Sequence, residues 1–283
     1  MNEKNLNKLI TEALLIEEES AKEAGAIGYM ARALVQATLP HSKKEGHTFK
    51  RSNGNFKLLM LSDPDTGLPY GSIPRLLLAW IVTEAVRTKE KELILGKSLS
   101  GFMEELDLVP TGGRWGSITR LKDQMRRFFS CSISCTYDDG ARWSIQNISP
   151  VHKADLWWDP KSPDQTTFFN STLTLHEDFF KEIISNPVPI DMRALKAIKK
   201  SPLALDIYCW LTYRLSYVNK KTVIPWEGLK NQFGEDYGRL IDFKRKFIGQ
   251  LRAISVVYPE ANLDENELGL VLLPSKPHIP FKE

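Results

Sequence analysis

The chain has 283 residues, of which 42% are apolar, and this is enough to bury a sizeable core that we expect to be divided between two domains. The formal net charge of +3 is too small to identify a partner, so a charge argument depends on where the charges cluster. Three cysteines without disulfide-framework spacing, no apolar export signal and no apolar run of the ~20 residues that cross a bilayer predict a soluble cytoplasmic protein.

The first forty residues predict a helix with two apolar stripes, and we assign residues 1–48 to an N-terminal helical extension. This helix is expected to pack on its own domain, and a dimerisation or partner surface is the alternative. The basic segment "HSKKEGHTFKRSNGN" at 41–55 predicts an exposed connection into a strand, "FKLLMLS".

The order of elements over residues 49–187 predicts a winged helix, which is a helix-turn-helix followed by a β-hairpin. A long helix at 73–89, the strand "ELIL", a helix capped by Ser98 and a third helix at 114–129 come first. The strands "SCSISCTY" and "RWSIQNI" then flank "DDGA" as the hairpin, with Trp143 expected in the core.

The region that follows is rich in proline and aspartate. Residues 149–167 predict a loop, which is followed by the strand "FFNSTLTL" and by a helix from His176 to about Ser185. The segment "NPVPI" at 186–190 predicts the hinge between domains.

A second copy of the same order is predicted over residues 188–283. Its elements are a helix from Ser201 to about 218, the strand "TVI", a short helix Trp226–Phe233, a third helix at 235–252, and a hairpin of "ISVVYP" and "LGLVLLP". The fold class is therefore expected to be α+β and mainly helical, with two tandem winged-helix domains.

The third helix of the first copy separates an apolar face from a basic one when it is wound at about 100° per residue. The apolar face comprises Trp115, Ile118, Leu121, Met125, Phe128 and Phe129. The segment 114–130 holds five basic residues and one acidic residue, Asp123. Such a face suits duplex DNA, because the major groove admits an α-helix and arginine pairs bidentately with guanine. A solvated charged helix face is the alternative.

Residues 239–252 of the third helix of the second copy have a similar composition, with five basic residues and the single acidic residue Asp242. Its polar face carries Arg239, Arg245 and Lys246. The recurrence at matching places favours DNA binding over a charge run without function.

The sequence lacks the residue patterns of metal, nucleotide-binding and catalytic sites. The five histidines are scattered without metal-ligand spacing, and Cys131 and Cys135 would need two further ligands to hold zinc. The "TGGRWGS" segment lacks the lysine and hydroxyl of a nucleoside triphosphate loop. We therefore expect no metal, no cofactor, no enzymatic activity and no redox role for the cysteines.

Four segments closely resemble RepA-type plasmid replication initiators of bacteria. They are "GYMARALVQATLPH" at 28–41, "GLPYGSIPRLLLAWIVTEAVRTK" at 67–89, "ELILGKSLSGFMEEL" at 92–106 and "PTGGRWGSITRLKDQMRRFFSCSIS" at 110–134. Beyond residue 150 the similarity is one of pattern only.

The resemblance implies an initiator that binds short repeats, called iterons, at a plasmid origin through two winged-helix domains. It also implies possible homodimers that repress their own gene, and a possible host initiator and replicative helicase as partners. The residues that it places on DNA in the first domain are Arg114, Ser117, Thr119, Arg120, Asp123, Arg126 and Arg127. In the second domain Arg239, Arg245 and Lys246 follow from the helical periodicity alone.

Two alternatives share this fold. One is a transcriptional repressor that binds an inverted repeat as a dimer, and the other is an interaction protein whose winged helices bind protein.

Overall fold

The computed structural model describes residues 3–234 and 237–280 and has mixed α+β structure, as the sequence predicts. The helices are α1 (Glu3–Glu18), α2 (Arg32–Gln36), α3 (Ser72–Thr88), α4 (Leu99–Glu105), α5 (Ser117–Phe129), α6 (Glu177–Ser185), α7 (Met192–Ala197), α8 (Pro202–Leu215), α9 (Trp226–Phe233) and α10 (Leu240–Val257). The strands are β1 (Ile27–Ala31), β2 (Thr48–Asn53), β3 (Phe56–Leu61), β4 (Glu92–Gly96), β5 (Ser132–Asp138), β6 (Trp143–Asn147), β7 (Val151–Asp155), β8 (Ser171–Leu175), β9 (Pro187–Asp191), β10 (Thr222–Pro225), β11 (Leu263–Glu265) and β12 (Gly269–Leu272).

The chain forms two compact units. The central unit comprises Leu39–Lys50 and Asn55–Pro187. The terminal unit comprises the described residues of Met1–Thr38, Arg51–Gly54 and Val188–Glu283. The N-terminal segment thus groups with the C-terminal part of the chain, which differs from the separate extension over 1–48 that the sequence predicts.

One long helix in each unit is buried on nearly all sides. In the central unit α3 buries every residue from Pro74 to Val82, and in the terminal unit α8 buries every residue from Leu203 to Thr212. Helices that are predominantly apolar on every side belong in a core, and both are the first helix of a predicted winged helix. Among the described residues, no helix combines the length and apolarity that a bilayer crossing requires.

The strand that follows α3 pairs with a partner far along the chain. In an antiparallel sheet of order β4-β8-β7, Leu93 lies opposite Leu173, which also lies opposite Ala154. The predicted hairpin at residues 130–148 does form as β5 and β6, but it belongs to another sheet, of order β2-β3-β5-β6. Leu58 and Met60 of β3 lie opposite Cys135 and Ile133 of β5, and these four side chains are buried together.

Two further expectations for the central unit are wrong. Residues 149–167 are not all loop, because β7 begins at Val151. Trp143 is not in the core, since it lies on the edge strand β6 and is 65% exposed. The loop between β7 and β8 is held down by Trp158, whose Nε1 donates to Gly96 O at 3.3 Å and whose ring stacks on Phe102.

The terminal unit repeats this arrangement. Its sheet has the order β10-β12-β11, in which Val223 and Asp264 both lie opposite Val271. The order first strand, third strand, second strand is therefore the same as in β4-β8-β7.

Two expectations about secondary structure in the terminal unit are also wrong. The segment "ISVVYP" belongs mostly to α10 rather than to a strand, because Phe247, Leu251 and Ile254 continue a buried row at helical spacing. The "NPVPI" segment, predicted as the hinge, is largely strand β9, which pairs with β1, and the division between the two compact units falls within it, between Pro187 and Val188. The helix predicted for the first forty residues is interrupted by β1, where alternate burial replaces the helical period.

A buried polar cluster joins the C-terminal segment to α8. The Tyr208 hydroxyl lies 2.8 Å from His278 Nδ1 and accepts the Asp191 N–H at 2.9 Å. The His278 ring also stacks on Tyr258 at 4.4 Å between centroids. Burial lowers the pKa of His278 below its ordinary value of 6.5, because the interior disfavours the imidazolium.

This shift predicts loss of stability in mild acid. A histidine whose pKa is lower in the folded chain contributes full stability above its unfolded pKa and progressively less as pH falls toward the folded pKa. The free energy of unfolding should therefore decrease between about pH 7.5 and about pH 5, and it should decrease less in His278→Gln. Urea unfolding across this range tests the slopes, with the exposed His47→Gln as the matched control. Equal slopes in all three proteins would contradict the assignment.

Candidate nucleic-acid interface

The turn before α5 is closed by reciprocal hydrogen bonds between Thr111 and Ser117. The Thr111 N–H donates to Ser117 Oγ and the Ser117 N–H donates to Thr111 Oγ1, both at 2.9 Å. The Ser117 hydroxyl also donates to Val109 O at 2.6 Å. The Ser117 N–H is one of the donors that a helix start leaves open, and the three bonds together fix the residue at which α5 begins.

Two glycines allow this turn. Gly113 has φ of +86°, the left-handed region that glycine adopts without a steric penalty. Gly116, the N-cap of α5, was not singled out from the sequence. A Cβ at Gly116 would collide with the backbone oxygens of Thr111 and Gly112, whereas a Cβ at Gly112 meets nothing within 4 Å.

The sequence-predicted residues of α5 fall into two groups. Arg114, Thr119, Arg120 and Arg126 are exposed, as is Lys122, so their polar atoms can reach a partner. The other group consists of residues held by neighbours, and it comprises Ser117, Asp123 and Arg127. The apolar face lies inward at Ile118, Leu121, Met125 and Phe128, as predicted.

Arg127 is tied down. Its Nε donates to Asp123 Oδ2 at 2.8 Å, its Nη1 donates to Leu68 O at 3.4 Å, and its guanidinium lies over the Tyr70 ring. The side chain is only 15% exposed. Arg127 therefore links α5 to the segment before α3, and the buried Gln124 strengthens this link by accepting the Tyr70 N–H at 2.8 Å.

Trp115 is the largest departure from the predicted faces. It was expected on the apolar face, but it is 80% exposed, with the Arg114 guanidinium over its ring at 5.1 Å. The helix begins at Ser117 rather than at 114, so the helical periodicity does not extend to Trp115.

The start of α10 is organised by one carboxylate. Arg239 donates to both oxygens of Asp242, from Nε at 2.7 Å and from Nη2 at 3.0 Å. Arg245 donates to Asp242 Oδ1 at 3.3 Å, and the Arg245 side chain remains 83% exposed. The hydrogen bond from Arg239 lowers the pKa of Asp242 below its ordinary value. Asp242 thus orients two of the predicted arginines, and Lys246 is exposed on the same helix.

Lys244 contacts other elements of the terminal unit. Its Nζ lies over the Trp226 ring at 4.7 Å and donates to Asn266 O at 3.4 Å, so it joins α10 to α9 and to the turn before β12. The sequence pattern placed it among the five basic residues of this segment without distinguishing it.

The cysteines on β5 and just before it are chemically protected. Burial raises the pKa of the Cys131 and Cys135 thiols to about 12, so both are protonated near neutral pH and are poor nucleophiles. Across residues 3–234 and 237–280, no three histidine, cysteine or acidic side chains are grouped so as to hold a metal ion.

Residues 68–228, more than half of the chain and including all of α3, α4 and α5, match the family described as plasmid encoded RepA protein. The chain belongs to this RepA family. The resemblance that the sequence motifs carry is therefore confirmed, and the protein is a replication initiator of the plasmid RepA type. A comparison with curated proteins gave no match.

Solved structures of RctB share the fold of this RepA-family chain. A crystal structure of RctB domains 2-3 is 11% identical, with a TM-score of 0.50 over 84% of this chain and 94% of that chain. A structure of selenomethionine derivatives of RctB domains 2 and 3 is 11% identical, with a TM-score of 0.56 over 88% of this chain and 99% of that chain. At this identity the likeness extends to the fold alone.

The close approach at Gly116 predicts a large effect of one methyl group. Gly116→Ala should destabilise the central unit by about 1–3 kcal/mol, because the added Cβ meets backbone that cannot turn aside. Gly112→Ala is the matched control and should change stability little, since it has open space. Chemical unfolding compares the two variants, and equal stabilities would contradict the packing described for this turn.

Proposed function

We propose that this RepA-family initiator binds directly repeated duplex sequences, the iterons of a plasmid origin, through α5 and α10. The observation that carries the proposal is the recurrence of one arrangement in both units. Each unit has a buried helix, a strand, a short helix, a helix with an exposed basic face and two strands that complete a sheet of the same order.

The proposal treats each unit as a winged helix. The first helices are α3 and α8, the second helices are α4 and α9, and the third are α5 and α10. The wings are then β7–β8 and β11–β12, because these strands pair with β4 and β10, respectively. In this proposal the hairpin β5–β6, which the sequence predicts as the first wing, is an insertion.

In the first winged helix, α5 would enter the major groove. Arg114, Arg120 and Arg126 are exposed and can donate to guanine edges or to phosphates. Thr119 already donates to Gly113 O at 2.8 Å and would act by accepting a hydrogen bond or by contact. Ser117, Asp123 and Arg127 would shape the surface rather than touch DNA, because their polar atoms are engaged within the protein.

In the second winged helix, Arg239, Arg245 and Lys246 would contact DNA. Asp242 holds the first two in place and limits the rotamers that binding has to freeze. Fixed arginines suit bidentate recognition of a base, whereas Lys246 suits a phosphate.

The proposal includes further roles to which no individual residues are assigned. They are repression of the protein's own gene, homodimer formation and contact with a host initiator and helicase, and the chain itself is assigned no catalytic step. A dimeric repressor of the same fold is the alternative. An initiator supplied in trans should maintain a plasmid that carries only the origin, and a plain repressor should not.

The first prediction for DNA binding concerns salt. Several phosphate contacts release counterions, so affinity for a directly repeated duplex should fall on the order of 10³-fold between about 50 and 200 mM salt. Fluorescence anisotropy with a labelled repeat and a scrambled duplex measures this. A flat salt response, or equal affinity for both duplexes at every salt concentration, would contradict the proposal.

The second prediction separates contact from support on α5. Arg120→Ala should weaken repeat binding by about 1–3 kcal/mol and leave the unfolding transition unchanged, because the side chain is exposed. Arg127→Ala should lower the unfolding midpoint, because it loses its bonds to Asp123 and Leu68.

The matched control is Arg87→Ala, which removes an exposed arginine from α3. Calorimetry and anisotropy on the three variants test the distinction. Unchanged binding in Arg120→Ala would show that this face of α5 does not meet DNA.

A further inference from the structure

A half-enclosed pocket of about 530 Å³ lies within the terminal unit, between α1, the turn from α7 to α8, and α10. Its size is in the range of pockets that hold small organic ligands. The function proposed above gives this pocket no role.

The wall of the pocket is strongly basic. Six cationic side chains line it, and they are Lys8, Lys196, Lys199, Lys200, Arg245 and Lys246. Only two carboxylates, Glu12 and Asp242, face them among the lining residues. Concave walls concentrate the field of such a cluster, so the pocket attracts anions.

The position of α8 adds to this field. Ser201 and Ala204 line the pocket at the start of α8, where the Ser201 Oγ accepts the Ala204 N–H at 3.2 Å. The start of a helix carries partial positive charge and favours phosphate groups. Here it reinforces a site that the lysines already define.

Apart from Asn5 and Gln250, the remainder of the lining is apolar or aromatic. Leu9, Ile198 and Ala204 are almost fully buried in this lining, whereas Ala197, Tyr237 and Ala253 are partly exposed and form its accessible apolar surface. A phosphate or pyrophosphate ion alone would leave this surface wet, and so would the backbone of a duplex that lay across the rim. A ligand with a flat ring and a chain of phosphates would cover both the apolar surface and the basic wall of the pocket.

We propose that this pocket binds a nucleoside polyphosphate, with the phosphates against the lysines of the α7–α8 turn and the base against Ala197, Tyr237 and Ala253. Arg245 and Lys246 line the pocket and are also proposed DNA contacts, a link that depends on the function proposed above. An occupied pocket would therefore compete with duplex DNA for α10 and would fix α1 against it.

Calorimetric titration of the full chain without DNA or metal ions tests the site directly. ATP should bind more tightly than ADP and ADP more tightly than AMP, while adenosine and pyrophosphate should each bind at least about tenfold more weakly than ATP. No saturable binding of ATP, or equal affinity for ATP and pyrophosphate, would overturn the proposal.

Variants locate the binding. Lys199→Gln and Lys246→Gln should each weaken ATP binding about tenfold, since each removes a charge-assisted contact. Lys220→Gln, an exposed lysine of the same unit outside the lining, should bind ATP as the unaltered chain does. Thermal unfolding without ligand checks that each variant folds. If Lys199→Gln does not fold, Lys246→Gln still tests the site, because Lys246 is exposed. An equal loss in Lys220→Gln would indicate attraction to the whole surface and overturn the site.

The competition is tested separately. ATP at ten times its dissociation constant should lower the affinity for repeat DNA by up to about tenfold, and adenosine should not. ATP binding without any change in DNA affinity would overturn the competition and leave the site intact. Because the titration contains no DNA, a failure of the DNA-binding proposal is distinguishable from a failure of this one.

Discussion

The direction of α5 depends on the absence of a side chain at Gly116. The backbone there passes so close to the carbonyls of Thr111 and Gly112 that only glycine fits, and this closeness lets Ser117 and Thr111 bond reciprocally. The helix consequently begins at a fixed residue, with Ile118, Leu121 and their neighbours directed inward. Arg120 and Arg126 are exposed because this row of apolar residues faces inward, so their exposure follows from a backbone constraint at the start of the helix rather than from their own contacts.

The same architecture is supported differently in the two units. In the central unit Asp123 draws Arg127 into the protein, so the carboxylate joins α5 to the chain before α3. In the terminal unit Asp242 holds Arg239 and Arg245 on the outside, where both remain largely exposed. One acidic residue in a basic helix thus stabilises the fold in one copy and arranges the proposed contacts in the other.

Local features, including the β5–β6 hairpin, were predictable from the sequence, whereas pairing between strands far apart in the chain was not. The bounds of α9 and the cap at Ser98 follow from neighbouring residues, since Ser98 Oγ accepts the Gly101 N–H at 3.2 Å. The pairing of β4 with β8 depends on which apolar faces pack together in the folded chain, and no local sequence pattern specifies this pairing. Within the site, helical periodicity identified the exposed arginines of α5 but assigned Trp115 to the wrong face, because periodicity does not reveal where a helix begins.

The central claim is that two helices, one in each unit, bind the same repeated DNA, and hydroxyl-radical footprinting on a duplex with one repeat tests it most directly. The unaltered chain should protect two separate backbone segments. The double variant Arg120→Ala/Arg126→Ala should lose one segment, and Arg239→Ala/Arg245→Ala should lose the other. A single protected segment, or a uniform loss of protection in both variants, would contradict the account.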